Sequence, residues 1–268
     1  MGSPVVRAST MRSHHESVDR VITAMRSRID EPLSLQSMAR IGFASRFHFN
    51  RTFRQITGIP PSQFLYALRL DAARRLLTET QRKIIDICYD VGYNSVGTFT
   101  RRFTDALGVS PSTFRELTQF PGQAQIALRP KPPASAKRVT GPGHRHPVDG
   151  RIKVPSNFHG LVLIGLFETP IPQARPMACA IAGEDGTYRI EDAPEGEFYL
   201  FALGLEHPIQ SPECFQYEEA LRAGGHPLIV GKNGVRGLTH LHLRPPASYD
   251  PPVLMSLAML TENLAAFQ

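Results

Sequence analysis

Two observations predict a multidomain chain, all-α in front and mainly β behind. Residues 17–119 carry a helical apolar rhythm that nearly repeats at an offset of fifty residues, and from residue 151 short alternating runs follow one another between Gly and Pro turns. Charge divides in the same way: residues 1–120 hold 17 Lys and Arg against 10 Asp and Glu, residues 121–150 hold 5 against 1, and residues 151–268 hold 8 against 13. A basic front half and an acidic back half imply different partners, and for the basic half a polyanion comes first.

The front half is justified by its repeat. Set over Ser95–Phe114, the stretch Ser45–Phe64 is identical at eight of twenty positions without a gap. The identities are Ser45/Ser95, Phe49/Phe99, Arg51/Arg101, Phe53/Phe103, Gly58/Gly108, Pro61/Pro111, Ser62/Ser112 and Phe64/Phe114. The likeness runs backward, pairing Leu35, Met38, Ile41, Gly42 and Phe43 with Ile85, Cys88, Val91, Gly92 and Tyr93.

Each unit reads as two short helices around a tight turn. Ser34 is placed to cap a helix whose inner face is Leu35, Met38, Ala39 and Ile41. Gly42 is expected to supply the turn conformation. Ser45 starts a second helix, on which Phe49, Phe53 and Ile56 have core spacing; Gly58 ends it and Pro61 opens the next. The opposite face carries Arg46, Asn50, Arg51 and Arg54; the matching helix presents Thr100, Arg101 and Thr104. Asn and Arg are the side chains that pair with adenine and guanine edges in the major groove. The predicted unit is therefore a helix-turn-helix, present twice.

On these residues the segment from about Ser17 to Thr118 resembles the DNA-binding domain of the AraC/XylS transcription regulators. The run from Leu33 to Leu77 is close to that family's first half, and Ile84–Leu117 is close to its second. The resemblance implies seven helices in two subdomains joined by a long helix near Ser62–Thr80, with the helices at 45–57 and 95–107 in adjacent major grooves. It further implies that Arg46, Phe47, Asn50 and Arg51 face bases in the first unit, and Val96, Gly97, Thr100 and Arg101 in the second. The DNA-binding set is completed by the helix starts Ser45 and Ser95 and by Arg54 and Thr104. Val96 and Gly97 lack the polar groups often used there, so the second helix is expected to read fewer bases.

The remaining boundaries follow from composition. Residues 1–15 read as a disordered tail, 16–120 as the DNA-binding domain, 121–150 as a basic Pro/Gly-rich linker, and 151–268 as a β-sandwich for association or ligand sensing. Strands are expected at Arg151–Val154, Leu161–Glu168, Met177–Ala182, Thr187–Ile190, Glu197–Gly204 and Leu238–Arg244. A short helix is expected at Glu213–Ala223, and an apolar tail at Pro251–Phe267. The run Gly183–Leu205 resembles prealbumin-like and carboxypeptidase-regulatory-like β-sandwiches. That implies a hairpin turn at Asp185-Gly186, a corner at Pro194–Gly196, and Tyr188 and Tyr199 packed along strands.

Several chemistries find no support. Cys88, Cys179 and Cys214 have neither metal nor redox spacing. His144/His146 and His240/His242 are pairs without an identifiable third ligand, so no metal site and no cofactor are assigned. No phosphate loop or nucleophile elbow occurs, and no catalytic residue is assigned. Neither a leader peptide nor a spanning segment is apparent, so the expected location is cytoplasmic. The expected function is sequence-specific binding of double-stranded DNA in transcription regulation. RNA polymerase, a small-molecule effector and a second copy of the chain are the further expected partners. An enzyme tethered to DNA through a hydrolase-like β-domain is the alternative, although the Tyr-Arg-Gly-Ser motif of hydroxyisourate hydrolase is absent from the sequence. A nonspecific architectural binder is a third reading.

Overall fold

The computed structural model describes residues 4–119, 145–206 and 218–255. Seven helices occupy the first stretch: α1 (Pro4–Ser27), α2 (Leu35–Ile41), α3 (Arg46–Thr57), α4 (Pro61–Glu79), α5 (Ile84–Asp90), α6 (Val96–Leu107) and α7 (Pro111–Gln119). The segment expected to be irregular over 1–15 is helical from Pro4. No Gly or Pro interrupts residues 5–26, and Val18, Val21, Ile22 and Met25 anchor one face in the core, so the helix propagates toward its N-terminus from that anchor.

The repeated residues build the same aromatic ladder twice. Phe49 and Phe53 pack with ring centroids 5.5 Å apart, and Phe53 meets Phe64 edge-on at 5.5 Å. In the second unit Phe99 and Phe103 lie 5.7 Å apart, and Phe103 meets Phe114 edge-on at 5.7 Å. All six rings are buried. Offset and edge-on pairs suit the ring quadrupoles, and they lock each reading helix to the helix that follows it. Gly58 (φ 79°) and Gly108 (φ 83°) end α3 and α6 in the left-handed region. Leu35, expected to face the core, is exposed, as is its repeat partner Ile85.

Eight strands follow: β1 (Arg145–Lys153), β2 (Leu161–Phe167), β3 (Ala178–Ile181), β4 (Thr187–Pro194), β5 (Gly196–Leu205), β6 (Arg222–Gly231), β7 (Gly234–Gly237) and β8 (His240–His242). They form a three-stranded sheet, β4-β1-β8, and a five-stranded sheet, β3-β2-β5-β6-β7. Val148, Ile152 and Ile190 of the first face Ile164, Leu200 and Leu228 of the second across one core.

The expected helix at Glu213–Ala223 is not formed where described: 218–221 is irregular, and Arg222 and Ala223 belong to β6; residues 213–217 lie outside the described residues. Strands β6 and β7 went unpredicted because Gly224, Gly225 and Pro227 in the first and Gly234 and Gly237 in the second read as turn residues. Gly224 instead sits at a bulge opposite Leu200/Phe201 with φ +104°, where a Cβ would lie 2.0 Å from the Leu200 carbonyl oxygen. Asp185-Gly186 does turn the chain, with Gly186 at φ +75°, but it joins β3 and β4 of different sheets and so is no hairpin between paired strands. Of the apolar tail, Pro251–Met255 is extended, bridging at Leu254 to Gln173; the rest, like most of the 121–150 linker, lies outside the described residues.

The helical and β parts share a core. Strand alternation turns Leu163, Phe167, Leu203 and Leu205 away from the sheet-to-sheet core, and they join the helical cluster with Ile171, Val253, Leu254 and Met255. Arg74 of α4, buried, bonds Asp71 at 2.9 Å and also Glu218 across the junction. Ser248 Oγ donates to Asp19 of α1 at 2.5 Å. No helix among the described residues is long and apolar enough to cross a membrane.

Candidate nucleic-acid interface

Helices α3 and α6 are aimed by what precedes and what joins them. Ser34 accepts the Ser37 amide at 3.1 Å and starts α2. Ser45 and Ser95 accept the amides of His48 and Thr98 at 3.4 Å and start the two candidate reading helices. Both serines, assigned to the DNA-facing set, thus have a capping role as well.

The turns differ in a way the repeat conceals. Gly92 has φ +81°, as a tight turn wants, but Gly42 has φ −78° and Phe43 takes the left-handed place at φ +53°. Gly42 is needed for room instead: a Cβ there would come 2.9 Å from Ser17 Oγ and 3.1 Å from the Phe49 ring. A Cβ on Gly92 would meet the Arg69 guanidinium at 2.7 Å and the Ile29 carbonyl oxygen at 2.8 Å. Arg69, on the connecting helix α4, donates to the Ile29 carbonyl at 2.9 Å and to the Glu31 carbonyl at 2.8 Å. One guanidinium therefore ties α4 to the α1–α2 loop of the first unit while packing under the turn of the second. Burial pulls its pKa down from the usual arginine value.

The predicted residues fall on one side of each helix. On α3, Arg46, Phe47, Asn50, Arg51 and Arg54 are all exposed, while Phe49 and Phe53 are buried. On α6, Gly97 and Arg101 are exposed; Val96, Thr100 and Thr104 are half-buried. Val96 packs partly against the core, and the Thr104 hydroxyl donates to the Thr100 carbonyl at 2.7 Å. The second face is correspondingly poorer in side chains that can reach a base edge.

Some residues escaped the sequence reading. Phe43 is 83% exposed, nearly as much as the predicted Phe47, and the Arg20 guanidinium of α1 stacks 4.7 Å over the Phe43 ring. The repeat paired Phe43 with Tyr93, which is half-buried against Phe99 at 5.4 Å, so the alignment concealed an exposed ring. The signal available was an aromatic in a turn ahead of a basic helix. His48 packs edge-on to His14 at 5.2 Å. Arg102 stacks 5.4 Å from the Tyr66 ring on α4, and Arg115 donates to the Arg82 carbonyl at 2.6 Å; both are occupied within the fold.

Among the described residues the β part offers no comparable site. His240 and His242 are exposed on β8, His146 lies 3.1 Å from Glu195, and His144 lies outside the described residues. Among the described residues no three His, Cys, Asp or Glu side chains group so as to hold a metal.

Comparison with known proteins bears on the first unit and its repeat. Residues 36–117 match the model of a helix-turn-helix domain family. The chain is 32% identical over 105 residues to the bifunctional transcriptional activator/DNA repair enzyme AdaA of Bacillus subtilis, covering 39% of this chain and 50% of that protein. It is 29% identical over 121 residues to the transcriptional regulator Rob of Salmonella typhimurium, covering 45% and 40%. The chain thus spans half or less of the length of these curated relatives. Among solved structures, the DNA-binding domain of AdpA in complex with a target DNA is similar at 26% identity, covering 43% of this chain and 97% of that one, with a TM-score of 0.37.

Proposed function

We propose that this chain is a sequence-specific regulator of transcription that reads double-stranded DNA with α3 and α6. Its premise is that residues 36–117 are an AraC-type helix-turn-helix DNA-binding domain, with transcription regulators among its relatives. The observation that carries the proposal is the pair of equivalent helices, each backed by the same Phe ladder and tied to one connecting helix, with polar rows facing away from the core. Arg46, Asn50, Arg51 and Arg54 are the base- and phosphate-facing set of α3, with Phe47 for apolar contact. Thr100 and Arg101 are the polar reach of α6, with Thr104, Val96 and Gly97 along the same edge and Ser45 and Ser95 at the helix starts. Asn and Arg at successive turns favour specific readout over the uniform phosphate contacts of an architectural binder.

The β part is assigned to association or ligand sensing, with a sandwich architecture of prealbumin-like kind. Its two facing sheets support that assignment. RNA polymerase and a second copy of the chain are the corresponding protein partners, and the cytoplasm is the corresponding location. The test is selection of bound sequences from a random DNA pool, followed by footprinting. One protomer should protect a non-palindromic site of roughly two turns, since adjacent major-groove faces lie about 34 Å apart. Equal affinity for the selected site and for random DNA would refute specific readout.

A further inference from the structure

The first helices of the two units end in the same pair of backbone bonds, set at different places in the repeat. In the second unit Gly92 donates to the Tyr89 carbonyl at 2.9 Å and Tyr93 to the Cys88 carbonyl at 3.0 Å. In the first, Phe43 donates to the Arg40 carbonyl at 3.1 Å and Ala44 to the Ala39 carbonyl at 2.9 Å. In this kind of ending the first donor stands in the left-handed region, a place that glycine usually takes. Helix α2 runs one residue further along the repeat than α5, ending at Ile41 where α5 ends at Asp90. The first turn therefore passes over Gly42 and sets Phe43 at φ +53°.

That exchange leaves a ring outside the fold. Ala44, in the place of Tyr93, packs against the helical core, and Phe43 is left 83% exposed. A bulky residue in left-handed backbone is an outlier, and strain of this kind gathers at functional sites. Among the described residues Ala174 is the one other non-glycine residue with a positive φ. A ring in water also gains nothing from the hydrophobic effect. Stability of the turn alone would be better served by glycine at 43.

The ring is held in position. A row of side chains on α1 follows the turn: Ser17 Oγ donates to the Gly42 carbonyl at 2.6 Å, the Arg20 guanidinium lies 4.7 Å over the Phe43 ring, and His14 meets His48 edge-on at 5.2 Å. Two residues after Phe43, Ser45 caps α3, and Phe47 in the first turn of that helix is 86% exposed. Two exposed rings thus stand either side of Arg46 in the sequence that opens α3. In a helix-turn-helix the N-terminal residues of the recognition helix are those that meet base edges. The apolar group that base edges present in the major groove is the 5-methyl of thymine, and phenylalanine is one of the side chains that pack on it.

We propose that Phe43 is a further specificity-determining residue, whose ring packs against the 5-methyl group of a thymine beside the bases read by Arg46, Phe47 and Asn50. The proposal rests on the DNA-binding reading above and adds to it a residue of the turn, outside the reading helix.

The test uses the full chain and a DNA site selected from a random pool, with each thymine of the site replaced in turn by uracil, which lacks only the methyl group. At one or two positions the replacement is expected to weaken binding about fourfold, the worth of one buried methyl group. Phe43→Gly is expected to abolish that loss at one position and to weaken binding to the unmodified site about fivefold or more. Phe43→Leu keeps an apolar side chain and should retain the sensitivity there, and Phe47→Ala should leave it in place. In urea melts Phe43→Gly should leave the midpoint unchanged or raise it, because glycine accepts φ +53° without strain.

The absence of any thymine whose methyl effect depends on residue 43 would overturn the proposal, as would a methyl effect abolished by Phe47→Ala alone. Equal losses for Phe43→Gly on selected and random DNA would place the ring on the sugar–phosphate backbone and overturn it too. A lower urea midpoint for Phe43→Gly, or a variant that does not fold, would show that the ring serves the fold, with the same consequence. If the unsubstituted chain binds selected and random DNA alike, the DNA-binding reading itself fails. A preferred site indifferent to Phe43 removes only the role given to this residue.

Discussion

The first helix-turn-helix unit and the second are built on one internal plan and present two different surfaces. Their Phe ladders, serine caps and left-handed glycine ends superpose position by position in sequence. On the exposed side α3 carries three arginines, an asparagine and a phenylalanine, where α6 has Gly97, Arg101 and half-buried Val96, Thr100 and Thr104. The turns diverge too, with the left-handed residue at Phe43 in one and Gly92 in the other. What was kept is whatever aims a helix; what changed is whatever the helix offers to DNA. Packing tolerates few alternatives once a ladder of rings is set, whereas an exposed side chain is free to vary.

The largest effects should erase the similarity. Phe53→Ala and Phe103→Ala each remove the middle rung of a buried ladder and should cost about 3–5 kcal/mol. Urea melts of the full chain would show the two losses to be alike. A cost below about 1 kcal/mol at either position would mean that the two cores are not equivalent.

Next come the turns, where the units should part company. Gly92→Ala forces φ +81° on a residue with a Cβ and drives that Cβ into Arg69 and the Ile29 carbonyl. The backbone strain alone is worth about 1–3 kcal/mol. Gly42→Ala keeps an ordinary φ and presses on the Ser17 hydroxyl and the edge of Phe49, so its cost in the same melts should be smaller. The reverse order would contradict the assignment of the left-handed residue to Phe43 in the first unit.

The reading faces should separate by specificity. Arg51→Ala is expected to lose about 1–3 kcal/mol of discrimination against wrong base pairs. Arg115→Ala, whose guanidinium holds the Arg82 carbonyl, should lower stability and leave the ratio of specific to random DNA binding unchanged. Competition binding with both DNAs reads the difference, and equal losses on the two for Arg51→Ala would take away its role at a base.

The smallest effect at neutral pH is none at all, and it appears only in alkali. Burial pushes the Tyr93 phenol up to about 12, from an ordinary value near 10. The folded chain favours the neutral phenol, so the contribution is complete below about pH 10 and is lost as pH rises through 12. Burial also raises Tyr66, so some slope remains in any Tyr93 variant. Tyr93→Phe is expected to flatten stability between about pH 10 and 12, while Phe43→Tyr, at the exposed equivalent, should add no slope. A steeper profile from Phe43→Tyr would show that the first turn is buried after all.

Much was legible in the order of residues. The offset of fifty residues, the spacing of Phe49, Phe53 and Phe64, the serine caps and the glycine ends are local signals, and each specifies a helix or its end without help from distant parts of the chain. So the helical elements and the exposed polar row of α3 followed from sequence, as did four of the eight strands, β2, β3, β5 and β8, to within two residues of their ends, while β4 runs four residues past its expected end at Ile190 and the α6 row is exposed only at Gly97 and Arg101. Strand β1 was found only in its last third.

Tertiary structure alone decided the rest. Gly42 and Gly92 are aligned and identical, yet only Gly92 has a positive φ, the left-handed place in the first turn falling to Phe43. Strand β6 hides behind Gly224, Gly225 and Pro227, whose turn chemistry is overridden by pairing with β5 across a bulge. The linker between residues 121 and 150 suggested two independent parts, but Leu163, Phe167, Leu203 and Leu205 join the helical core, and a cavity opens along that seam. A second buried face on a sheet and a space between distant elements arise from contacts far apart in sequence, and no local pattern encodes them.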